Sequence, residues 1–167
     1  MDRFQVLFEI YRKNVEEFAE YQKESFTFFE QYLESFIEYF SISSDNLLLF
    51  SWEEENSQTR EPAKAIRLNS DSYWHVRMGI KLKVKNIKLP EQNLIFEMLF
   101  KKYKGNFIVK LGNDPGIDIP YANGKWHHYE FLRYVYEFLV DFYQNDLNKF
   151  LDKPESNRLG FDYTIKG

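Results

Sequence analysis

The chain has 167 residues, a formal net charge of −4 and no cysteine. This length suits one domain over residues 1–167, and the lack of cysteine excludes disulfides, thiolate metal ligands and a cysteine nucleophile. We expect neither a signal peptide nor a membrane span, because no apolar run approaches the ~20 residues that cross a bilayer, and we expect a cytoplasmic protein.

Charged residues are unevenly distributed along the chain, and aromatic residues are abundant. Residues 1–61 hold 14 acidic and 5 basic side chains, residues 62–110 hold 3 acidic and 11 basic ones, and residues 111–167 hold 9 and 6. The overall charge therefore hides an acidic first third and a basic middle. The chain also has 17 Phe and 12 Tyr, which indicates either a recognition surface or the coding bias of an AT-rich bacterial, phage or plasmid genome.

The first predicted element is an amphipathic helix over residues 2–40. Apolar residues recur at steps of three and four from Phe4 to Phe40, and neither Gly nor Pro interrupts them. An unbroken helix would be ~58 Å long, whereas a compact chain of this size is only ~40 Å across. We therefore expect either a projecting helix or a helix pair broken near residues 22–25, and we favour the pair.

This helix also carries an acidic ridge made of two sets of three glutamates, spaced four residues apart within each set. The ridge consists of Glu16, Glu20, Glu24, Glu30, Glu34 and Glu38. Like charges at this spacing destabilise a helix by ~0.2–0.5 kcal/mol per pair. The ridge is interpreted either as a solvated helix face or as a surface for a basic protein partner.

The middle of the chain predicts an antiparallel meander of about four or five strands. Short strands are expected at residues 47–52 and 63–68, and a longer one shows strict alternation between two faces. Its inward face comprises Trp74, Val76, Met78, Ile80, Leu82 and Val84. The next strand repeats the apolar face at Leu94, Phe96, Met98 and Phe100. A tight turn at Lys104-Gly105 leads into a third strand over residues 107–111, and such short connections require antiparallel neighbours.

The opposite side of these strands forms a predicted basic sheet face. It comprises Tyr73, His75, Arg77, Lys81, Lys83 and Lys85, extended by Lys101 and Tyr103. Lysines on an exposed sheet prevent edge association, which is one interpretation. The other is a phosphate-binding platform whose tyrosines stack on nucleic-acid bases. The overall pI of about 5.5 argues against a dedicated nucleic-acid protein.

The last third predicts turns and a long helix over residues 125–151, followed by an edge strand over residues 161–165. His127-His128 is interpreted as an exposed first turn of that helix, since metal-binding histidine pairs sit at i, i+4. Asp114 and Asp118 flank a turn that contains Pro115-Gly116, and we interpret them as turn residues rather than as a paired-acid site.

The predicted fold is α+β, with an N-terminal amphipathic helix or helix pair, the meander and a long C-terminal helix. No nucleophile elbow or phosphate loop occurs in the sequence, so we assign no catalytic residue, no metal and no cofactor. The leading function is a non-catalytic protein–protein interaction module, such as a small inhibitor, immunity protein or accessory subunit. Nucleic-acid binding through the basic sheet face and an enzyme with dispersed site residues are the alternatives. A homo-oligomer formed through the N-terminal helix is compatible with the pattern.

Overall fold

The computed structural model describes residues 2–54, 57–83, 88, 91–146, 151 and 162–166. It confirms the α+β class, with a long N-terminal helix, an antiparallel sheet and a C-terminal helix. The helices are α1 (Arg3–Phe40), α2 (Pro62–Ala65) and α3 (Tyr129–Asp141), with a 3-10 turn at Ser44–Asn46 and a π-helical turn at Phe142–Asp146. The strands are β1 (Leu47–Leu49), β2 (Ile66–Leu68), β3 (Trp74–Leu82), β4 (Glu91–Tyr103), β5 (Asn106–Leu111), β6 (Ile117–Ile119), β7 (Tyr121–Ala122), β8 (Lys125–Trp126) and β9 (Asp162–Lys166).

Helix α1 is continuous over 38 residues, or about 57 Å, so the expected break near residues 22–25 is wrong. The buried Ser25 occupies the thin point of the apolar stripe, and its hydroxyl donates to the Tyr21 carbonyl at 2.8 Å. The helix thus satisfies this polar side chain internally instead of breaking. A capping box between Asp2 and Gln5 starts the helix, and Ser41 ends it with a left-handed φ of 51°.

Within the described residues the antiparallel sheet contains seven strands, compared with the four or five expected for the meander. Strands β3, β4 and β5 form an antiparallel meander as predicted, and β6, which was not predicted, continues it. Strands β1 and β2 both pair with the other edge of β3, and β9 pairs with the first half of β4. The β4–β5 hairpin turns at Lys104-Gly105, whose φ values of 50° and 83° suit a tight two-residue turn. Strand β9 confirms the edge strand over residues 162–166, whereas Phe161, Val84 and Lys85 lie outside the described residues.

The core lies between one face of the sheet and two helices. The second half of α1 and most of α3 contribute Phe28, Phe29, Tyr32, Leu33, Phe36, Phe131, Leu132, Val135 and Leu139. The predicted inward residues from Trp74 to Ile80 on β3 are buried, as are those of β4. Leu82 was expected to be buried and is 40% exposed, because it is the last residue of β3, at the end of the sheet.

Helix α3 begins four residues later than predicted. Asn123-Gly124 has φ values of 55° and 76°, the conformation of a tight hairpin turn, so residues 125–126 pair with β7 instead of entering the helix. The described part of the helix ends at Asp141 and is continued by the π-helical turn. The rest of the predicted helix, including residues 147–150, lies outside the described residues.

Candidate functional site

The first half of α1 lies outside the body of the fold. Every residue from 3 to 20, a segment called the arm below, is exposed. Its large apolar side chains are between 43% and 74% exposed, and they are Phe4, Val6, Leu7, Phe8, Ile10, Tyr11, Val15 and Phe18. The body first reaches the helix at Tyr21, whose hydroxyl accepts a hydrogen bond from Trp74 Nε1 at 3.2 Å. So many exposed large apolar side chains on one segment are unusual on the surface of a folded monomer.

Within the arm, five apolar residues alternate at steps of four and three. This seam consists of Phe4, Phe8, Tyr11, Val15 and Phe18. The same alternation continues through the buried Phe29, Tyr32 and Phe36 of the core. At 100° per residue, the seam and the core-facing stripe lie within about 50° of each other on the helix surface. The arm therefore presents to solvent the side of α1 that the body uses for its own core.

The charges on the arm are largely paired within the helix. Arg12 contacts Glu9 at 2.7 Å and Glu16 at 3.4 Å, and Lys13 contacts Glu17 at 3.7 Å. The hydrogen bond and charge of Glu9 raise the pKa of the Arg12 guanidinium above its ordinary value. These ion pairs balance most of the charge on the arm, and the five side chains of the seam itself are apolar.

The acidic ridge runs along the side of α1 opposite the seam and the core. Glu16 pairs with Arg12, and Glu24 pairs with Lys102 on β4 at 2.6 Å. The other members of the ridge are exposed and form no ion pair with any residue that the structure describes: Glu20, Glu30, Glu34 and Glu38. These four glutamates thus leave uncompensated negative charge along the outer side of α1.

The basic sheet face is more neutral than the sequence suggests. His75 is 12% exposed and lies between two carboxylates, with Nδ1 2.6 Å from Glu97 and Nε2 2.8 Å from Asp71. The backbone N–H of Tyr73 donates to Asp71 and lowers the pKa of that carboxyl, to which His75 and Lys110 also contribute. In the first half of this face, both nitrogens of His75 are therefore already occupied by hydrogen bonds within the protein.

Carboxylates also reach the far end of the same face. Lys81 and Lys83 each approach Glu91 at 3.9 Å. Arg77 stands opposite Glu97 in the β3–β4 register, and its guanidinium lies 5.6 Å from the centre of the Phe50 ring. Arg77 and Lys81 were expected to be largely exposed and are half-buried, while Lys83 is exposed as expected. The carboxylates of all three acidic residues in the basic middle of the chain thus contact basic or histidine side chains of this face.

Basic and aromatic side chains do converge at the β4–β5 end of the sheet. The ammonium groups of Lys101 and Lys110 lie 4.8 Å and 4.6 Å from the centre of the Tyr73 ring, within cation–π distance. Lys101 and Lys104 lie 5.9 Å and 5.2 Å from the Tyr103 ring. Among the described residues these three lysines have no ion-pair partner. We call these five residues the lysine–tyrosine patch.

The histidine pair divides between surface and interior. His127 is half-buried, with Nε2 3.0 Å from the Ala122 carbonyl oxygen. His128 was expected to be exposed but is 3% exposed, packed against the rings of Phe28 and Tyr32. Burial lowers the pKa of His128 to about 4, so the ring is neutral near pH 7. Neither ring nitrogen has a hydrogen-bond partner among the described residues.

A cavity of about 310 Å³ lies beside His128, between α1 and the start of α3. Its polar lining includes Ser35, Glu38, Lys125 and His127. The His128 nitrogens are covered, so they do not face this opening. No group of three or more His, Asp or Glu side chains that could hold a metal ion occurs in the described part of the chain.

The two aspartates near Pro115 do not act as a pair. Asp114 accepts a hydrogen bond from the Tyr134 hydroxyl, which raises the pKa of Tyr134 to about 12. Its backbone N–H donates to the Leu111 carbonyl at 2.9 Å, closing the turn. Asp118 is exposed on β6. The contacts therefore give Asp114 a structural role in holding the turn against α3.

No family model, no curated protein and no solved structure matches this chain. Within the described residues, no helix is both long enough and apolar enough to cross a bilayer.

Two features of these surfaces could have been predicted from the sequence. Lys110 joins the lysine–tyrosine patch because β5 alternates, with Phe107 and Val109 inward and Lys110 outward. The exposure of the arm follows from helix length, since a compact body cannot cover about 57 Å of helix. The pairing of Glu97 and Asp71 with His75 depends on strand register and had no such signal.

Proposed function

We propose that this protein is a non-catalytic protein–protein interaction module whose docking element is the arm of α1. The observation that carries the proposal is the exposure of the seam, whose five residues are each at least 50% exposed. Large apolar side chains left in water forgo roughly 1.5–3 kcal/mol each relative to full burial. A protein partner that covers the seam recovers this free energy, which makes the arm the natural contact surface.

The acidic ridge supports a second contact, with a basic surface. Glu30, Glu34 and Glu38 repel one another along one exposed helix face, and an approaching basic surface relieves that repulsion. Uncompensated charge of one sign also steers the encounter with a complementary partner. Small inhibitors, immunity proteins and accessory subunits act through surfaces of this kind.

The lysine–tyrosine patch favours a second candidate function, the binding of a phosphate-rich polymer such as a nucleic acid. Its three lysines are free to meet phosphates, and its tyrosines could stack on bases. Three carboxylates on the same side of the sheet oppose such a ligand. Binding of generic single-stranded nucleic acid with a steep salt dependence that K101A/K110A abolishes would favour this candidate.

Cysteine labelling tests the docking role of the arm, because the chain has no native cysteine. A single cysteine replaces either the seam residue Phe8 or Lys13, which lies on the outer side of the same arm. Each variant is produced at its natural level in cells that make the protein, and the cells are treated with a permeant maleimide. We expect the F8C thiol to be protected and the K13C thiol to react.

The denatured protein provides the reference for full labelling of both thiols. Equal, rapid labelling of F8C and K13C in the cells would show that nothing covers the seam, and the proposed function would then be wrong.

A further inference from the structure

We infer that the partner that covers the seam is a second copy of this chain, and that the two arms pair antiparallel about a two-fold axis. This inference rests on the proposed docking role of the arm. It assigns the occupant and the geometry of the contact, and it leaves the acidic ridge and the lysine–tyrosine patch free for other partners.

The spacing of the seam matches helix-to-helix packing. Phe4, Phe8, Tyr11, Val15 and Phe18 alternate at steps of four and three, the pattern with which paired helices interlock their side chains. Leu7 borders the seam and is 66% exposed, which widens the contact strip at the end of the arm. The occupant is therefore another helix with the same pattern, and the chain itself carries one.

The charges of the arm also fit a second copy. Residues 3–20 hold three basic and four acidic side chains, so two arms meet with little repulsion. Beside the seam, Gln5, Asn14 and Ala19 carry no charge, and the charge of Arg12 in the same rows is paired with Glu9 and Glu16. A strongly basic partner finds few unpaired acids here, and a lipid surface favours a basic polar face that the arm lacks.

The position of the body determines the direction of pairing. The seam and the core-facing stripe lie on the same side of α1. Each body therefore lies on the side of the helix that carries the seam, beyond the C-terminal end of the arm. In a parallel pair, both bodies would compete for the same volume between the two helices. In an antiparallel pair the bodies lie at opposite ends, and each arm of about 27 Å lies along the other.

The contact is large enough to be specific. Four aromatic rings exposed by 50–74%, together with Leu7 and Val15, bury on the order of 1,000 Å² in the pair. That area reaches the level, also about 1,000 Å², expected of a biological interface. The same patch on both copies makes the contact isologous, so it closes as a dimer and does not propagate.

Two valines of the arm provide a matched test. Val15 lies in the seam and is 50% exposed, and Val6 lies away from it and is 43% exposed. The same substitution, Val15→Glu or Val6→Glu, adds one charge at an exposed helical site in each case. Sedimentation equilibrium of the purified protein should show a dimer for the parent and for V6E, whereas V15E should dissociate at least about tenfold more readily because its charge must be buried.

A distance measurement tests the direction. A nitroxide is attached to a cysteine introduced at Asp2, beside the start of α1. Antiparallel arms centred near Tyr11 separate the two labels by about 30 Å, whereas parallel arms bring them to about 10 Å. The short distance would overturn the antiparallel arrangement.

Failure of this inference is distinguishable from failure of the proposed function. A parent protein that stays monomeric at millimolar concentration, or a V6E variant that dissociates as readily as V15E, would rule out the second copy. If F8C were nevertheless protected in cells, the arm would dock on a different protein. Binding of the monomer to phosphatidylserine vesicles through the same seam would instead assign the arm to a membrane surface and would overturn the second-copy assignment.

Discussion

At the scale of single residues, the interface between α1 and α3 contains a polar group in an apolar setting. His128 precedes the first turn of α3 and packs 4.9 Å from the Phe28 ring and 5.4 Å from the Tyr32 ring, measured between centroids. Both neighbours are fully buried. A charged imidazolium is disfavoured there, and the depressed pKa of His128 follows from that burial.

This setting makes stability depend on pH. The unfolded chain protonates His128 near 6.5, while the folded protein does so only near a pKa of about 4. Between these values the unfolded state binds more protons, so stability is lost as the pH falls, by up to about 3 kcal/mol. The variant His128→Phe should lose less stability than the parent between pH 6.5 and pH 4 in urea titrations.

Tyr32→Phe provides the control, since it alters the same contact and leaves His128 in place. It should keep the pH dependence of the parent protein. A His128→Phe profile that parallels the parent profile over this range would show that His128 is not the titrating group.

At the scale of elements, α1 is one continuous helix whose two halves have different surroundings. Its second half is covered by the sheet and α3, and its first half is exposed. The capping box at Asp2 and Gln5, together with ion pairs such as Arg12–Glu9, supports the exposed half from within. Helix formation and burial are thus separable in this element, and phenylalanines in its two halves should differ sharply in their contribution to stability.

Phe29 and Phe8 allow a direct comparison within α1. Phe29 is 0% exposed and Phe8 is 52% exposed. Phe29→Ala should lower the free energy of unfolding by about 3–5 kcal/mol through loss of burial and a residual cavity. Phe8→Ala should change it by less than about 0.5 kcal/mol, the range of surface substitutions, when unfolding is measured on dilute monomer.

Comparable losses in the two variants would mean that the body covers the arm in the monomer. The arm would then not be available to any partner.

At the scale of the whole molecule, charge is separated between two sides. Four glutamates of the acidic ridge are uncompensated along α1, and the lysine–tyrosine patch lies at the β4–β5 end of the sheet. The pair between Glu24 and Lys102 joins the two regions at one point. Such a charge distribution orients the protein during encounters with a charged partner.

Replacement of Glu30, Glu34 and Glu38 by Gln tests the ridge. Stability should hold or rise slightly, because repulsion of ~0.2–0.5 kcal/mol per pair is removed from the helix. Association with a basic partner should become slower and less sensitive to salt, while dissociation changes little. Stopped-flow association at two ionic strengths provides the measurement, with Glu9→Gln on the arm as the control. Unchanged association at low salt would reduce the ridge to a solvated helix face.

Local patterns predicted much of the fold. The period of two on β3 and β4 identified the buried faces of both strands, and the stripe of α1 identified its core-facing side. The beginning of α3 was missed because the Asn123-Gly124 turn prevailed over helical periodicity in residues 125–128. The burial of His128 was missed for a related reason. The residues next to it in the sequence do not indicate that rings of α1 cover it.

The sequence by itself determined the fold class, the two faces of the sheet and the outer position of the acidic ridge, because periodicity and charge act between near neighbours in the chain. Only the tertiary structure decided which part of α1 is covered, because coverage depends on how far the sheet and α3 extend along the helix. It likewise decided that Asp71, Glu91 and Glu97 neutralise most of the basic sheet face, since strand register and side-chain reach bring together residues that are distant in sequence. The exposed seam and the lysine–tyrosine patch are the two surfaces that those long-range contacts leave uncovered or without neutralising charge.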